Sequence, residues 1–361
     1  MDAKNKNKVI CAMSGGLDSS VAAALLKKQG YSVVGVFMKF WHPGKGVDCE
    51  NRCCSTEAES RARKVAKILK IPFYVFNFEK EFKKRIVDYF LTEHKKGVTP
   101  NPCVVCNKEI KFGLLLEKAL ELDADYIATG HYARKKEVRN KKQGTIHKLL
   151  KAKDKNKDQS YFLWKLDQNQ LKRILFPISD YTREEVLSLA KKFKLSFLVK
   201  IKKSQEICFI PTEVNEFLEK YLKEKSGKIV DATGKIIGEH KGLWFYTIGQ
   251  RKGIGLPAGP YYVLNKDKRK NILTVTKNEK DLYKKELIAR NINWISGSEP
   301  RLPLKVQAKI RYRHRPASVK IHKLKTAGYK LTFNKPQRAV TPGQSVVFYK
   351  GQEVLGGGII V

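Results

Sequence analysis

Apolar positions in the N-terminal half change period repeatedly, and each change predicts an element. A short apolar run ending at Met13 passes through Ser14-Gly15-Gly16-Leu17-Asp18-Ser19 into Val21-Ala22-Ala23-Ala24-Leu25-Leu26, which reads as strand, tight turn and helix. Ser32–Met38 is a Val-rich strand. Over Thr56–Leu69, Ala58, Ala62, Val65, Ala66 and Leu69 fall on one helical face, and Thr56 with Glu59 forms a capping box. Phe73–Phe76 reads as a buried strand, and Phe82, Ile86, Tyr89 and Phe90 as the inward face of the next helix. Ile110–Leu122 predicts another helix, Asp125–His131 a strand, and Ser160–Leu166 and Arg183–Lys192 further helical turns. Such alternation predicts a parallel sheet covered on both faces.

From Gly227 onward the texture changes to short strands separated by Gly, Pro and Asn turns. Lys228–Ala232, Lys235–Gly238, Leu243–Ile248, Tyr261–Asn265 and Ile272–Thr276 make a first group. Leu304–Tyr312, Ser318–Lys323, Tyr329–Phe333 and Ser345–Tyr349 make a second. The expected architecture is an α/β parallel-sheet domain over 1–210, a small β-rich central domain over 211–282 and a C-terminal β-barrel over 283–361. The polar stretch between Arg134 and Lys157 reads as a hairpin, either solvated or facing RNA.

Charge narrows the partners. The chain of 361 residues carries 73 Lys and Arg against 35 Asp and Glu, a formal net charge of +38. A Lys-rich proteome would produce this, and so would a polyanionic partner such as nucleic acid, whose phosphates dominate affinity. The apolar run before Ser14 is too short for a signal-peptide core, and no run reaches membrane-spanning length. A cytoplasmic protein is expected, in which seven cysteines serve as reactive or metal-bound groups rather than as a disulfide framework.

The candidate chemistry begins at Ser14–Ser19. Two adjacent glycines let the backbone turn and present several N–H groups in one direction, and the following helix N-terminus adds partial positive charge. Ser14, Ser19 and Ser20 supply hydroxyls, so the turn is suited to phosphate. No Gly-Lys-Ser/Thr follows at the spacing of a Walker A loop. Gly253-Ile254-Gly255-Leu256-Pro257-Ala258 matches a dinucleotide fingerprint by letter only, since Pro257 interrupts it and no helix pattern follows.

Cys103 and Cys106 lie in Thr99-Pro100-Asn101-Pro102-Cys103-Val104-Val105-Cys106-Asn107, ahead of the Ile110 helix and close to Lys108 and Lys111, a setting that favours thiolate. Cys208 stands in Lys203-Ser204-Gln205-Glu206-Ile207-Cys208. Three readings compete: zinc on Cys103 and Cys106 with Cys49, Cys53 and Cys54, two redox-coupled thiols that carry sulfur, or an iron–sulfur cluster on Cys103, Cys106 and Cys208. Cys11 reads as a buried, inert thiol.

Ser-Gly-Gly-Leu-Asp-Ser resembles the PP-loop signature of ATP pyrophosphatases (adenine nucleotide alpha hydrolase-like), which implies release of AMP and pyrophosphate. With Thr99–Phe112, Ala128–Tyr132, Lys157–Tyr161, Ser204–Phe209 and Trp244–Gly253 in order, nearly the whole chain is similar to the tRNA-uridine 2-sulfurtransferase family. The resemblance implies ATP at Ala12, Met13, Ser14, Gly15, Gly16, Leu17, Asp18, Ser19, Met38 and Gly130, with Asp18 near magnesium and pyrophosphate. It implies a persulfide on Cys208, delivered by a cysteine desulfurase or relay protein, and Cys106 as partner nucleophile. Asn101, Pro102 and Cys103 would line the target base, and His131, Lys157, Asp158, Gln159, Arg311, Tyr312 and Gln344 would meet tRNA, with the chain acting as a monomer. Many members carry Asp where this chain has Cys103, which leaves the acid/base role open. The alternatives are another PP-loop adenylating transferase, such as an amidating synthetase, and an RNA-binding protein with a metal-stabilised core.

Overall fold

A computed structural model of the chain describes residues 7–44, 55–140, 144–201, 207–211 and 213–361. The N-terminal part runs β1 (Lys8–Ala12), α1 (Leu17–Lys28), β2 (Ser32–Lys39), α2 (Thr56–Leu69), β3 (Phe73–Asn77), α3 (Glu79–Phe82) and α4 (Asp88–Lys95), then α5 (Pro102–Cys106), α6 (Leu115–Glu121) and β4 (Tyr126–Ala128). Wider-wound π segments at Lys83–Val87 and Asn107–Leu114 join α3 to α4 and α5 to α6. A hairpin of β5 (Ala133–Asn140) and β6 (Gly144–Lys151) precedes α7 (Gln168–Lys172), β7 (Ile174–Leu175) and α8 (Arg183–Lys192).

The first sheet has the order β3-β2-β1-β4-β7, with every pair parallel. The chain moves outward in one direction from β1 to β3 and in the other from β4 to β7. The crossover point therefore lies beside the carboxyl end of β1, where ligands of open α/β sheets bind. β1 is apolar without alternation because both its faces are covered: Val9 and Cys11 join one core cluster, Ile10 and Ala12 another.

Four local expectations change. Ser55, not Thr56, caps α2, its Oγ accepting from Ala58 N at 3.1 Å, while Glu59 pairs with Arg63. β3 is an edge strand with Tyr74 and Val75 exposed, so its apolar run does not mean burial. The helix expected from Ile110 starts at Pro102, whose fixed φ suits a first helical position. Leu243–Ile248 forms a single tight helical turn at Leu243–Phe245 in place of a strand, and it buries Leu243, Phe245 and Tyr246 together.

Beyond α9 (Val214–Tyr221), β8 (Gly227–Val230), β9 (Ile236–His240), β10 (Tyr262–Asp267) and β11 (Ile272–Thr276) form a small sheet in the order β10-β11-β8-β9. The last six strands are β12 (Tyr283–Trp294), β13 (Leu304–Lys309), β14 (Ala317–Lys323), β15 (Tyr329–Arg338), β16 (Ser345–Lys350) and β17 (Glu353–Ile360). They pair antiparallel in the order β12-β15-β14-β13-β16-β17, and β17 pairs back onto β12. This closes a barrel around Leu287, Val319, Leu331, Phe333 and Phe348.

The polar hairpin does not stand alone in solvent. β6 adds to the barrel through Leu149↔Val354 and Leu150↔Glu353, reinforced by a Lys148–Glu353 ion pair at 2.8 Å. A limb of the N-terminal part thus widens the C-terminal sheet. Among the described residues no helix is long and apolar enough to cross a membrane.

Candidate active site

The turn after β1 is shaped by what its neighbours exclude. Gly15 adopts φ +70°, and a Cβ there would stand 2.1 Å from the carbonyl oxygen of Ala58 on α2. Gly130, just beyond β4, abuts the start of α1 so closely that a Cβ would stand 2.5 Å from Ser19 N. Both glycines are therefore fixed by contact, and Gly130 closes the far side of the turn. Ser19 Oγ accepts from Ser14 N and lies 3.2 Å from Ser14 Oγ. No side chain caps α1 at Gly16, so the N-terminus of a twelve-residue helix faces the turn uncapped, with Asp18 in its first turn. Ala12, Met13, Leu17 and Met38 are buried at the ends of β1 and β2 and at the start of α1. Arg61 Nε donates to Gly15 O at 3.2 Å and brings a guanidinium to the loop.

Asp18 is the polar centre of this region. Its Oδ1 accepts from Tyr132 Oη at 2.9 Å and from Arg183 Nη1 at the start of α8. Gln159 holds Tyr132 in turn: its Oε1 accepts from Tyr132 N at 3.0 Å, and its own N donates to Tyr132 O. Nothing local in the sequence assigns a site role to Arg61, Tyr132 or Arg183. Arg183 lies 165 positions from Asp18, and nothing in its local pattern marks it as more than a helix start.

Cys106 is buried at the end of α5 in the core cluster that contains Ile10, Ala12 and Met38, and Cys208 packs against that same cluster. Cys103 is exposed on the same short helix. Lys108, expected to favour a Cys106 thiolate, instead directs its ammonium to Asp167 Oδ2 at 2.5 Å and Gln170 Oε1 at 2.8 Å. Burial pushes the Cys11 thiol up to about 12, which keeps it protonated and inert. Cys49, Cys53 and Cys54 of the zinc alternative lie outside the described residues, as do Ser204, Gln205 and Glu206. Among the described residues no three His, Cys, Asp or Glu side chains gather closely enough to hold a metal ion, so Cys103, Cys106 and Cys208 do not form a cluster cradle in this arrangement.

Several residues expected to meet tRNA are engaged within the protein. Asp158 is only 6% exposed and accepts from Ala152 N, Ser160 N and Ser160 Oγ, which makes it the organiser of a buried turn rather than a presented acid. Lys157 is half-buried, its N donating to Asp154 Oδ1. Arg311 Nη2 donates to Ala339 O at 2.5 Å and Thr341 Oγ1 at 2.9 Å. Tyr312 is half-buried against Phe162, ring centroids 4.5 Å apart. Gln344 Nε2 donates to Thr99 O and Pro100 O. His131 sits between Phe112 and Phe176 with Nδ1 2.8 Å from Thr129 Oγ1; burial first, then the charge of Lys111, holds its pKa well below the usual histidine range. A neutral imidazole can exchange hydrogen bonds there but cannot pair with a phosphate as a cation. Tyr161 steadies Asn101 by a side-chain hydrogen bond, and Pro102 is buried. A cavity of about 660 Å³ opens beside this segment, lined by Thr99, Pro100, Ile207, Trp244, Gln250 and Gln344 among others.

Comparison with known proteins covers the whole of this framework. A family model described as tRNA methyl transferase HUP domain matches residues 7–212. Models described as tRNA methyl transferase PRC-barrel domain and Aminomethyltransferase beta-barrel domain match 215–277 and 284–360. The chain is 47% identical over 357 residues to the tRNA-specific 2-thiouridylase MnmA of Clostridioides difficile (strain 630), with 98% of each chain covered. It is 46% identical to the protein of the same name from Carboxydothermus hydrogenoformans, covering 100% of this chain and 99% of that one. It is 49% identical to tRNA-specific 2-thiouridylase MnmA 1 of Caldanaerobacter subterraneus subsp. tengcongensis, with 98% of each covered.

Proposed function

The chain belongs to the tRNA-specific 2-thiouridylase family, and from that premise we propose how its residues replace the C2 oxygen of a tRNA wobble uridine by sulfur at the expense of ATP. One observation carries the reading: Cys106 lies in, and Cys208 packs against, the extended core that also backs the strand feeding the Ser14–Ser19 turn. The sulfur chemistry requires the two thiols to meet beside the turn during the reaction, which neither alternative function requires.

The uracil C2 oxygen is a poor leaving group, so it is first joined to the α-phosphorus of ATP. The backbone N–H groups of the turn, with Ser14 and Ser19, bind the departing pyrophosphate, assisted by the α1 dipole and the charge of Arg61. Asp18 fits magnesium: both of its protein donors contact Oδ1, and magnesium takes one or two carboxylates together with substrate phosphates. When bound, the cation supplies charge neutralisation at the phosphates. The terminal sulfur of a Cys208 persulfide then attacks C2, and AMP leaves. Cys106 thiolate attacks Cys208 Sγ, the sulfur–sulfur bond of the persulfide breaks, the new C–S bond keeps the transferred atom, and a Cys106–Cys208 disulfide remains for an external dithiol to reduce. The site does not fit a three-cysteine iron–sulfur cluster, and no step depends on one.

The target base must leave the anticodon stack to reach the pocket, where Asn101, Pro102 and Cys103 receive it. The reading includes a persulfide donor in the cytoplasm and a working monomer. The test is a reconstituted assay with tRNA, ATP, magnesium and a persulfide donor, scoring 2-thiouridine by mass spectrometry. Wild type thiolates, whereas Cys106→Ser and Cys208→Ser each abolish product while binding tRNA normally. Full thiolation by either variant, or none by the wild type, would overturn the assignment.

A further inference from the structure

The Thr99–Pro102 segment, immediately ahead of the Cys106 helix, has little means of fixing itself. Pro100 and Pro102 carry no N–H, so its position depends on donors from elsewhere reaching its carbonyls. The barrel supplies them. Gln344 Nε2 donates to Thr99 O at 3.0 Å and to Pro100 O at 3.3 Å, and Thr99 N donates to Pro342 O at 3.0 Å. Between those two residues, Gly343 at φ +90° comes so close that a Cβ would stand 2.8 Å from Thr99 O.

The central domain meets the same residue, with Thr247 Oγ1 3.1 Å from Thr99 Oγ1. Arg311 then ties the two holders together, its Nη2 reaching Ala339 O, Thr341 Oγ1 and, at 3.5 Å, Ile248 O. All three parts of the chain therefore converge on Thr99 and Pro100, next to the sequence that carries Asn101, Cys103 and Cys106.

The geometry points to Gln344 as a positioning residue for Cys106: its two hydrogen bonds set the helix that presents the thiol, and through them the placement of the barrel is transmitted to the sulfur chemistry. Gln344 thereby acts on turnover. This rests on the thiolation reading above.

Gln344→Met keeps the volume and removes both donors. Gln344→Asn is one methylene shorter and reaches neither carbonyl. For both variants kcat for thiolation falls about tenfold or more, the size of a lost pair of hydrogen bonds, while KM for tRNA stays within about twofold. Without tRNA or ATP, the amides of Thr99 and of Cys103 to Cys106 exchange hydrogen about tenfold faster than in wild type. A raised KM with unchanged kcat would make Gln344 a tRNA contact and overturn the proposal, as would unchanged exchange. Faster exchange in both variants, together with a wild-type chain that makes no 2-thiouridine, would instead sink the functional reading and leave the positioning role standing.

Discussion

His94 shows how one side chain can couple pH to architecture. It is 4% exposed, and its Nδ1 lies 3.1 Å from the carbonyl of Trp244, so the neutral tautomer with hydrogen on Nδ1 donates across from α4 to the central domain. Burial, the largest cause, pushes its pKa down to about 4 from 6.5, the Trp244 bond opposing and the charge of Lys266 adding to the fall. Below 6.5 the unfolded chain takes up a proton that the folded one refuses. The contribution of His94 to stability is thus complete above pH 6.5 and is lost as pH falls to about 4, a loss of about 3 kcal/mol. Denaturant titrations from pH 7 to 4 should fall more steeply for wild type than for His94→Gln. Parallel curves would show that His94 does not carry this dependence.

Among the elements, the strand–turn–helix around Gly15 was legible because its chemistry is local: an apolar strand, two glycines, hydroxyls and a helix follow one another in sequence. α8 was equally readable from its period, and its Thr182 cap with Glu185 is present as a capping box. β12 and β17 were not legible. β12 begins Tyr-Lys-Lys-Glu and buries little before Leu287. β17 contains Gly356-Gly357-Gly358, which punctuates like a turn; yet a Cβ on Gly356 would stand 2.0 Å from Asn293 O, so the glycines permit strand crossing at barrel closure. The Arg183–Asp18 contact was hidden for a related reason, since periodicity reports the face of a residue and not its distant partner. Asp18→Ala should lower AMP formation in the presence of tRNA by about a hundredfold or more, the scale of a lost transition-state contact. AMP release at the wild-type rate would remove the turn from the chemistry.

At the scale of the molecule, the net charge of +38 sets the terms of encounter with a polyanion. Neutralising six or more phosphates makes binding fall about a thousandfold between about 50 and 200 mM salt. Fluorescence anisotropy of labelled tRNA across that range should show the loss, and a flat titration would make the charge compositional. The sequence disclosed this charge but not its distribution: of the residues expected at RNA, Asp158 organises a buried turn, while Arg311 and Gln344 have donors engaged in joining the parts of the protein to one another.

The β5–β6 hairpin adds a constraint in time. Its neighbour β17 lies about two hundred residues further along the chain, so a ribosome releasing this polypeptide from its N-terminus exposes the β6 edge long before anything exists to cover it. The nucleotide-binding part can gather around its parallel sheet early, yet one flank stays open until the final barrel strand emerges. Synthesis interrupted before residue 353 would leave that flank as an adhesive strip, and such fragments should be found with chaperones or in aggregates rather than as a working half-enzyme.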